Sequence, residues 1–325
     1  MSMTIRLPVV PASFFGMVLG LAGLGGSWRA AHSAWGLASW PGEALMALAA
    51  VVWAVLVVFY VGKWIASRAA AQAEIVHPVH CCFIGLVGVA TMLVAGGAAP
   101  YSHVVALLLY IAGAAFTLVF AVWRTGGLWL GDRTVEQSTP VLYLPTVAGT
   151  FVVGAVGAGL GLGDIGQFFF GCGLFGWLAI ESVLLHRLLT SPAMASGLRP
   201  TLGIQLAPPV VGAVSLIAVA PSAPPLFAHA LIGYGILQAL VLLRLLPWIL
   251  EEPLAPSYWA FTFGVTALAT APIRLVALGD KGSVVWLAPI LFVFANVAVI
   301  AVAGVTVRRA FQGRLLPAAT GPILK

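Results

Sequence analysis

Glu181 is the only acid set deep inside one of this chain's long apolar runs, six residues before Arg187. An ionisable group at membrane depth is costly, and a proton-coupling role would suit it. Its place near one end of the run favours a structural role, paired with a nearby Arg or bonded to backbone that a kinked neighbour frees. His77-Pro78-Val79-His80-Cys81-Cys82 offers metal-ligand chemistry on paper. Its spacing fits no zinc pattern, so no metal is expected. Pro78 suits a first helical turn, where its missing N–H is unpaired anyway, and His77 then caps or anchors the helix that follows. No Ser, His and acid constellation, phosphate-binding glycine loop or His-x-x-x-His pair is present, which argues against an enzyme and against any bound cofactor.

The elements that must carry these residues follow from composition. The chain of 325 residues is 62% hydrophobic and 7% charged, with 15 Lys and Arg against 9 Asp and Glu. That is too little charge for a water-exposed surface of this size. Its apolar runs of about 20 residues suffice to cross a hydrocarbon core roughly 30 Å thick. The net charge of +6 is spread singly at the ends of apolar runs, which excludes a nucleic-acid surface. Cys81, Cys82 and Cys172 lie within apolar runs and read as small apolar residues. The first run, from Ala12 to Trp28, is too long for a signal-peptide core and counts as a span.

Ten spans result, at about 12–29, 41–66, 78–97, 101–124, 143–161, 165–190, 202–220, 226–249, 257–277 and 283–310, in one transmembrane domain covering 1–325. With an even count both termini share a side. Placing them in the cytoplasm leaves only Arg29, Arg274 and Lys281 of the 15 basic residues outside, and 12, including Arg6 and Lys325, inside. Odd spans are short and carry Gly or Pro, as at Gly16, Gly20, Pro145, Pro208 and Gly264. Even spans are long and end near basic residues. Breakers free backbone groups that lipid cannot satisfy, so the odd spans belong inside and the even ones outside. The expected fold is an all-α integral membrane protein of five helical hairpins, whose inner helices line a narrow, kinked pore.

The inner spans hold almost no charge. Their polar groups are Ser13, Thr91, Thr146, Thr150, Gln205, Thr262, Thr266 and Thr270. Hydroxyls, helix dipoles and a basic rim suit a weakly hydrated anion. Phe261 and Phe263 are two residues apart on a helix, so only one of them can face an axis while the other packs outward.

Several tracts resemble the tellurite-resistance/dicarboxylate transporter family, specifically its bacterial TehA-type members. They are Ser13-Phe-Phe-Gly16-Met-Val-Leu-Gly20, His77-Pro78-Val79, Thr139-Pro-Val-Leu-Tyr-Leu-Pro-Thr-Val-Ala148, Leu202-Gly-Ile-Gln-Leu-Ala-Pro208, Gly233-Tyr-Gly-Ile-Leu-Gln238, Arg244-Leu-Leu-Pro-Trp248 and Trp259-Ala-Phe-Thr-Phe-Gly264. The resemblance implies ten helices in a quasi-five-fold ring of hairpins, one pore per protomer, and a homotrimer in the bacterial inner membrane. The family includes the slow anion channels of plant guard cells, in which a phenylalanine of the ninth helix occludes the pore. That residue falls on Phe263 here. The implied function is a channel for small inorganic anions such as chloride and nitrate. The alternative is a proton-coupled secondary transporter of tellurite or C4-dicarboxylates, with Glu181 or a rim His doing the coupling.

Overall fold

Uninterrupted stretches rich in Val, Leu, Ala and Phe dictate helix throughout, and the computed structural model, which describes residues 8–131 and 133–316, has no strand among them. Arg6 and Lys325 lie outside the described residues. In chain order the helices are α1 (Gly16–Trp35), α2 (Trp40–Ala66), α3 (Arg68–Val76), α4 (Leu86–Ala98) and α5 (His103–Trp129). They continue with α6 (Gly149–Gly159), α7 (Gly163–Thr190), α8 (Ala207–Val219), α9 (Pro225–Ile249), α10 (Trp259–Ala277) and α11 (Val284–Phe311).

Burial sorts them into two layers. In the apolar windows of α2, α5, α7, α9 and α11 only 17–33% of residues are buried. For α4, α6, α8 and α10, each taken with the short turn before it, the figure is 67–89%. The long helices therefore present apolar side chains outward, and the short ones are enclosed by protein. Among the described residues nine spans are long and apolar enough to cross a bilayer. The Gly-rich α1, which carries Arg29 and His32, is less apolar, yet most of its first three turns are buried. The alternation of inner and outer spans expected from the breakers is thus the arrangement observed.

Each inner helix touches the next, α1 to α4, α4 to α6, α6 to α8 and α8 to α10, and α10 packs extensively on α1 to close the ring. Each also pairs with the outer helix that follows it, giving five hairpins. All five inner helices consequently run in the same direction around one axis.

A shared local feature starts every inner rod. Tight turns precede the regular helix at Ala12–Phe15, His80–Gly85, Pro140–Leu142, Ser196–Leu206 and Pro256–Tyr258, and a π-turn at Leu144–Ala148 leads into α6. Prolines sit in or beside each start: Pro11, Pro78, Pro140 and Pro256 at or just before the first turn, where a missing N–H has no helical partner to lose, and Pro145 and Pro200 inside the turns themselves. Two expectations are corrected. Gly20 and Gly264 do not break their helices, since α1 and α10 run unbroken through them. Pro78 is not in the first turn; it lies two residues before the helical segment that opens at His80.

The nine-residue α3 was not expected from the sequence, because it is too short and too polar to register as a span. It anchors the first inner rod. Buried Glu74 accepts from the Ala12 backbone N–H at 2.8 Å and pairs with Lys63 Nζ of α2 at 2.7 Å, and Tyr60 adds a third donor at 3.1 Å.

Candidate functional site

A cavity of about 1600 Å³ opens on the side where the inner rods begin. Each rod gives it a stripe of residues at helical spacing, such as Thr201, Ile204, Pro208 and Val211 on the fourth. The last lining residues along the five inner rods are Leu19, Leu86, Ala148, Val211 and Phe263. Contributed one by each rod of the closed ring of helices, these five are all apolar, and Phe263 is the bulkiest. Toward the mouth the lining carries Lys63, Arg309 and Arg314 against the single acid Glu74, with His77 and His80 beside them. The mouth therefore has an excess of positive charge.

The two phenylalanines take opposite directions. Phe263 lines the cavity, and its ring edge stands 3.4 Å from where a Cβ on Gly23 would be. Phe261 stacks on Tyr258 with ring centres 6.0 Å apart and packs against Gly203, where a Cβ would come within 2.5 Å of its ring.

The other residues singled out in the sequence divide three ways. Ser13, Gly16 and Pro208 line the cavity. Pro145 is buried within the π-turn. Gly20, Thr262 and Gly264 are corrected from pore wall to helix contact. Thr262 is fully buried and bonds to the Trp259 carbonyl at 2.8 Å. Gly20 makes room for Thr262 and for the Trp259 ring, and Gly264 brings α10 against Leu206 and Ala207. Small residues at these points let backbones approach closely, the usual source of helix adhesion inside a membrane.

Gln205 also leaves the expected pore wall, because it is part of a polar knot around Glu181. One carboxylate oxygen accepts from the Tyr143 hydroxyl, from Trp177 Nε1 at 3.0 Å and from Gln205 Nε2 at 2.8 Å. The other accepts from the Tyr234 hydroxyl at 2.5 Å and from Gln238 Nε2 at 3.3 Å. The partners expected for Glu181 were an Arg or free backbone; five neutral side-chain donors from four different segments take their place. Uncharged donors can fill all the acceptor positions of a buried carboxylate without adding a second ion to desolvate. Tyr143 also lines the cavity, so the knot is one residue removed from it.

His77 stands at the cavity mouth. Its Nδ1 accepts from the backbone N–H groups of Val79 and His80 at 3.1 and 3.0 Å, capping the turn that opens the second inner rod, and its ring stacks on His80 at 4.0 Å. Partial burial, and the charge of a protonated His80, hold its pKa below the ordinary imidazole value. Cys81 and Cys82 are buried free thiols, Cys172 is exposed, and no metal-ligand cluster gathers among the described residues.

The ring members Leu19, Leu86, Ala148 and Val211 carried no sequence signal, since nothing separates them from other apolar residues. Tyr234 and Gln238 could have been found: they are polar, four apart on an otherwise lipid-facing helix, and so share one face.

The closed ring of five hairpins, with a cation-rich cavity ending on apolar side chains, can be set beside known proteins. The pattern of the SLAC1 family, described as voltage-dependent anion channel, matches residues 9–307. The chain belongs to that family. A tellurite resistance protein TehA homolog of Haemophilus influenzae is 34% identical over 92% of this chain and 90% of its own length. The S-type anion channels SLAH2 and SLAH3 of Arabidopsis thaliana are 26% and 24% identical over 78% and 93% of the chain. This chain spans about half the length of those plant relatives, 49% and 48%. Membership makes it a multi-pass membrane protein in a family of channels and transporters.

Proposed function

We propose that this protein is an anion-selective channel for small inorganic anions of the chloride and nitrate type, whose passage is occluded by Phe263. The observation that carries the reading is the cavity floor. Five inner helices each end their contribution at one apolar residue, and the largest of these, Phe263, projects from the unbroken α10. An apolar constriction of this kind holds back ions sterically and by excluding water, and moving one ring aside would open it. The excess of Lys and Arg at the mouth raises the local concentration of anions. Passive flow down the electrochemical gradient then needs no titrating group on the axis.

The distribution of basic residues supports an inner-membrane protein with the cavity mouth and both termini in the cytoplasm. The family resemblance supports a homotrimer with one pore in each protomer. The test is current through purified protein in a planar bilayer, native against Phe263→Ala, in chloride and nitrate and with a proton gradient on or off. The expected result is a large anion-selective current in the variant that ignores the proton gradient. Silence in both proteins, with saturable, proton-dependent uptake of tellurite or a C4-dicarboxylate into liposomes, would replace the channel with a coupled transporter. The contact between cavity-lining Tyr143 and Glu181 is the feature that favours this second reading.

A further inference from the structure

Beyond the apolar ring, the half-exposed positions on the inner helices are uncharged, among them Gly23, Gly26, Leu93, Ala155, Val214 and Ala218. Two arginines are the exceptions, and their surroundings differ sharply. Arg29 is fully engaged: Nε and Nη2 reach both Glu43 oxygens at 2.8 and 2.6 Å, and Nη1 and Nη2 bond the carbonyls of Gly96 and Gly97 at 3.1 and 3.0 Å. The side chain of Arg274, on α10, has neither a hydrogen-bond partner nor an ion pair among the described residues. The nearest acid along the chain, Asp280, is taken by His229 Nε2 at 2.7 Å and by the Gly282 N–H at 2.9 Å.

Helix geometry fixes where Arg274 stands. It follows Phe263 by eleven residues, which in a regular helix at about 100° each is three full turns and roughly 20° more, a separation of about 16 Å along the axis, and α10 stays helical through Pro272 over that span. The residues of α10 that face α1, namely Thr262 and Thr266 against Gly20 and Gly23, and those that face α8, such as Gly264, flank this stripe on either side. Arg274 therefore shares the axial face of Phe263, on the opposite side of the ring from the cavity.

A guanidinium stays charged at any physiological pH and carries five donors in a planar fork. Half-exposed and without a carboxylate, it needs water or an anion to satisfy those donors. We propose that Arg274 is a binding site for a small monovalent anion in the far half of the pathway, holding it before or after passage of the ring and setting charge selectivity there. The proposal rests on reading the chain as an anion pathway.

Two measurements separate this proposal from that reading. In the Phe263→Ala background, Arg274→Gln is expected to lower chloride conductance severalfold and to move the reversal potential in a chloride gradient toward that of a non-selective pore, with Arg274→Lys retaining most of both. In detergent, sodium nitrate at constant ionic strength, with gluconate as the balancing anion, is expected to raise the thermal midpoint of the native protein and of Arg274→Lys more than that of Arg274→Gln. Unchanged conductance and selectivity in Arg274→Gln, with Phe263→Ala conducting, would overturn the site and leave the channel standing. Should Phe263→Ala carry no current, the channel reading fails and the nitrate experiment alone decides: an equal shift in native protein and Arg274→Gln overturns the site.

Discussion

Tyr143 lines the cavity and donates its hydroxyl to Glu181 of the outer helix α7, so a single residue links the candidate passage to the polar knot behind it. The same carboxylate reaches Gln205 before α8 and Tyr234 and Gln238 of α9. Two neighbouring hairpins are therefore pinned together through one residue.

That arrangement predicts unequal costs. Tyr143→Phe removes the hydrogen bond to Glu181 and the acceptor that Gln205 Nε2 reaches at 3.0 Å, and is expected to cost about 1.5–3 kcal/mol. Glu181→Gln puts an NH2 donor among five donors and removes an acceptor oxygen, so it should destabilise more than Tyr143→Phe. Denaturant or thermal unfolding in detergent measures both. Equal stability of native protein and Glu181→Gln would show that the knot is not structural. Loss of proton-dependent uptake with stability intact would make Glu181 a proton relay instead.

His77 gives a pH dependence with a definite sign. Its Nδ1 accepts two backbone N–H groups, which a protonated ring cannot do at that nitrogen. Because the folded state holds the pKa below the unfolded value of about 6.5, the unfolded chain binds the proton first as pH falls. The stabilisation is complete above about pH 6.5 and is lost below it, down to the folded pKa. Hydrogen exchange at residues 79–85 should accelerate over that window in the native protein. His77→Asn keeps an acceptor at the cap without a titrating ring, so its exchange there should stay flat after correction for intrinsic rates. An unchanged acid response in His77→Asn would shift the origin to His80, which faces it.

Much of this arrangement could be read from the chain, and the limits have physical causes. The divergence of Phe261 and Phe263 follows from a two-residue step on a helix, and the inner and outer layers follow from where Gly and Pro fall. The partners of Glu181 did not follow: Gln205, Tyr143, Tyr234 and Gln238 are 24, 38, 53 and 57 residues away in sequence, and only the closed ring brings them together. Proline marked the start of each inner rod without revealing whether the ladder there would tighten, as at His80–Gly85, or widen, as at Leu144–Ala148. Glycine was the most ambiguous residue. Gly16 lines the cavity, while Gly20, four residues on, serves contact between α1 and α10.

That ambiguity can be tested by substituting glycines that differ only in what surrounds them. A Cβ at Gly20 would collide with the Thr262 hydroxyl and stand 2.7 Å from the Trp259 ring, both in the tightly packed α1 to α10 contact that closes the ring. Neither neighbour can swing away, since Trp259 donates to Thr306 at 2.8 Å and Thr262 is fully buried. Gly20→Ala should therefore force α1 and α10 apart and cost about 1–3 kcal/mol. Gly126, inside α5, has nothing within 4 Å of a built Cβ. There alanine removes backbone freedom from the unfolded chain without a clash, and a gain of about 0.4–1 kcal/mol is expected. Thermal midpoints of the two variants in one detergent should thus move in opposite directions. If the midpoint of Gly20→Ala does not fall, close approach at Gly20 is not what closes the ring.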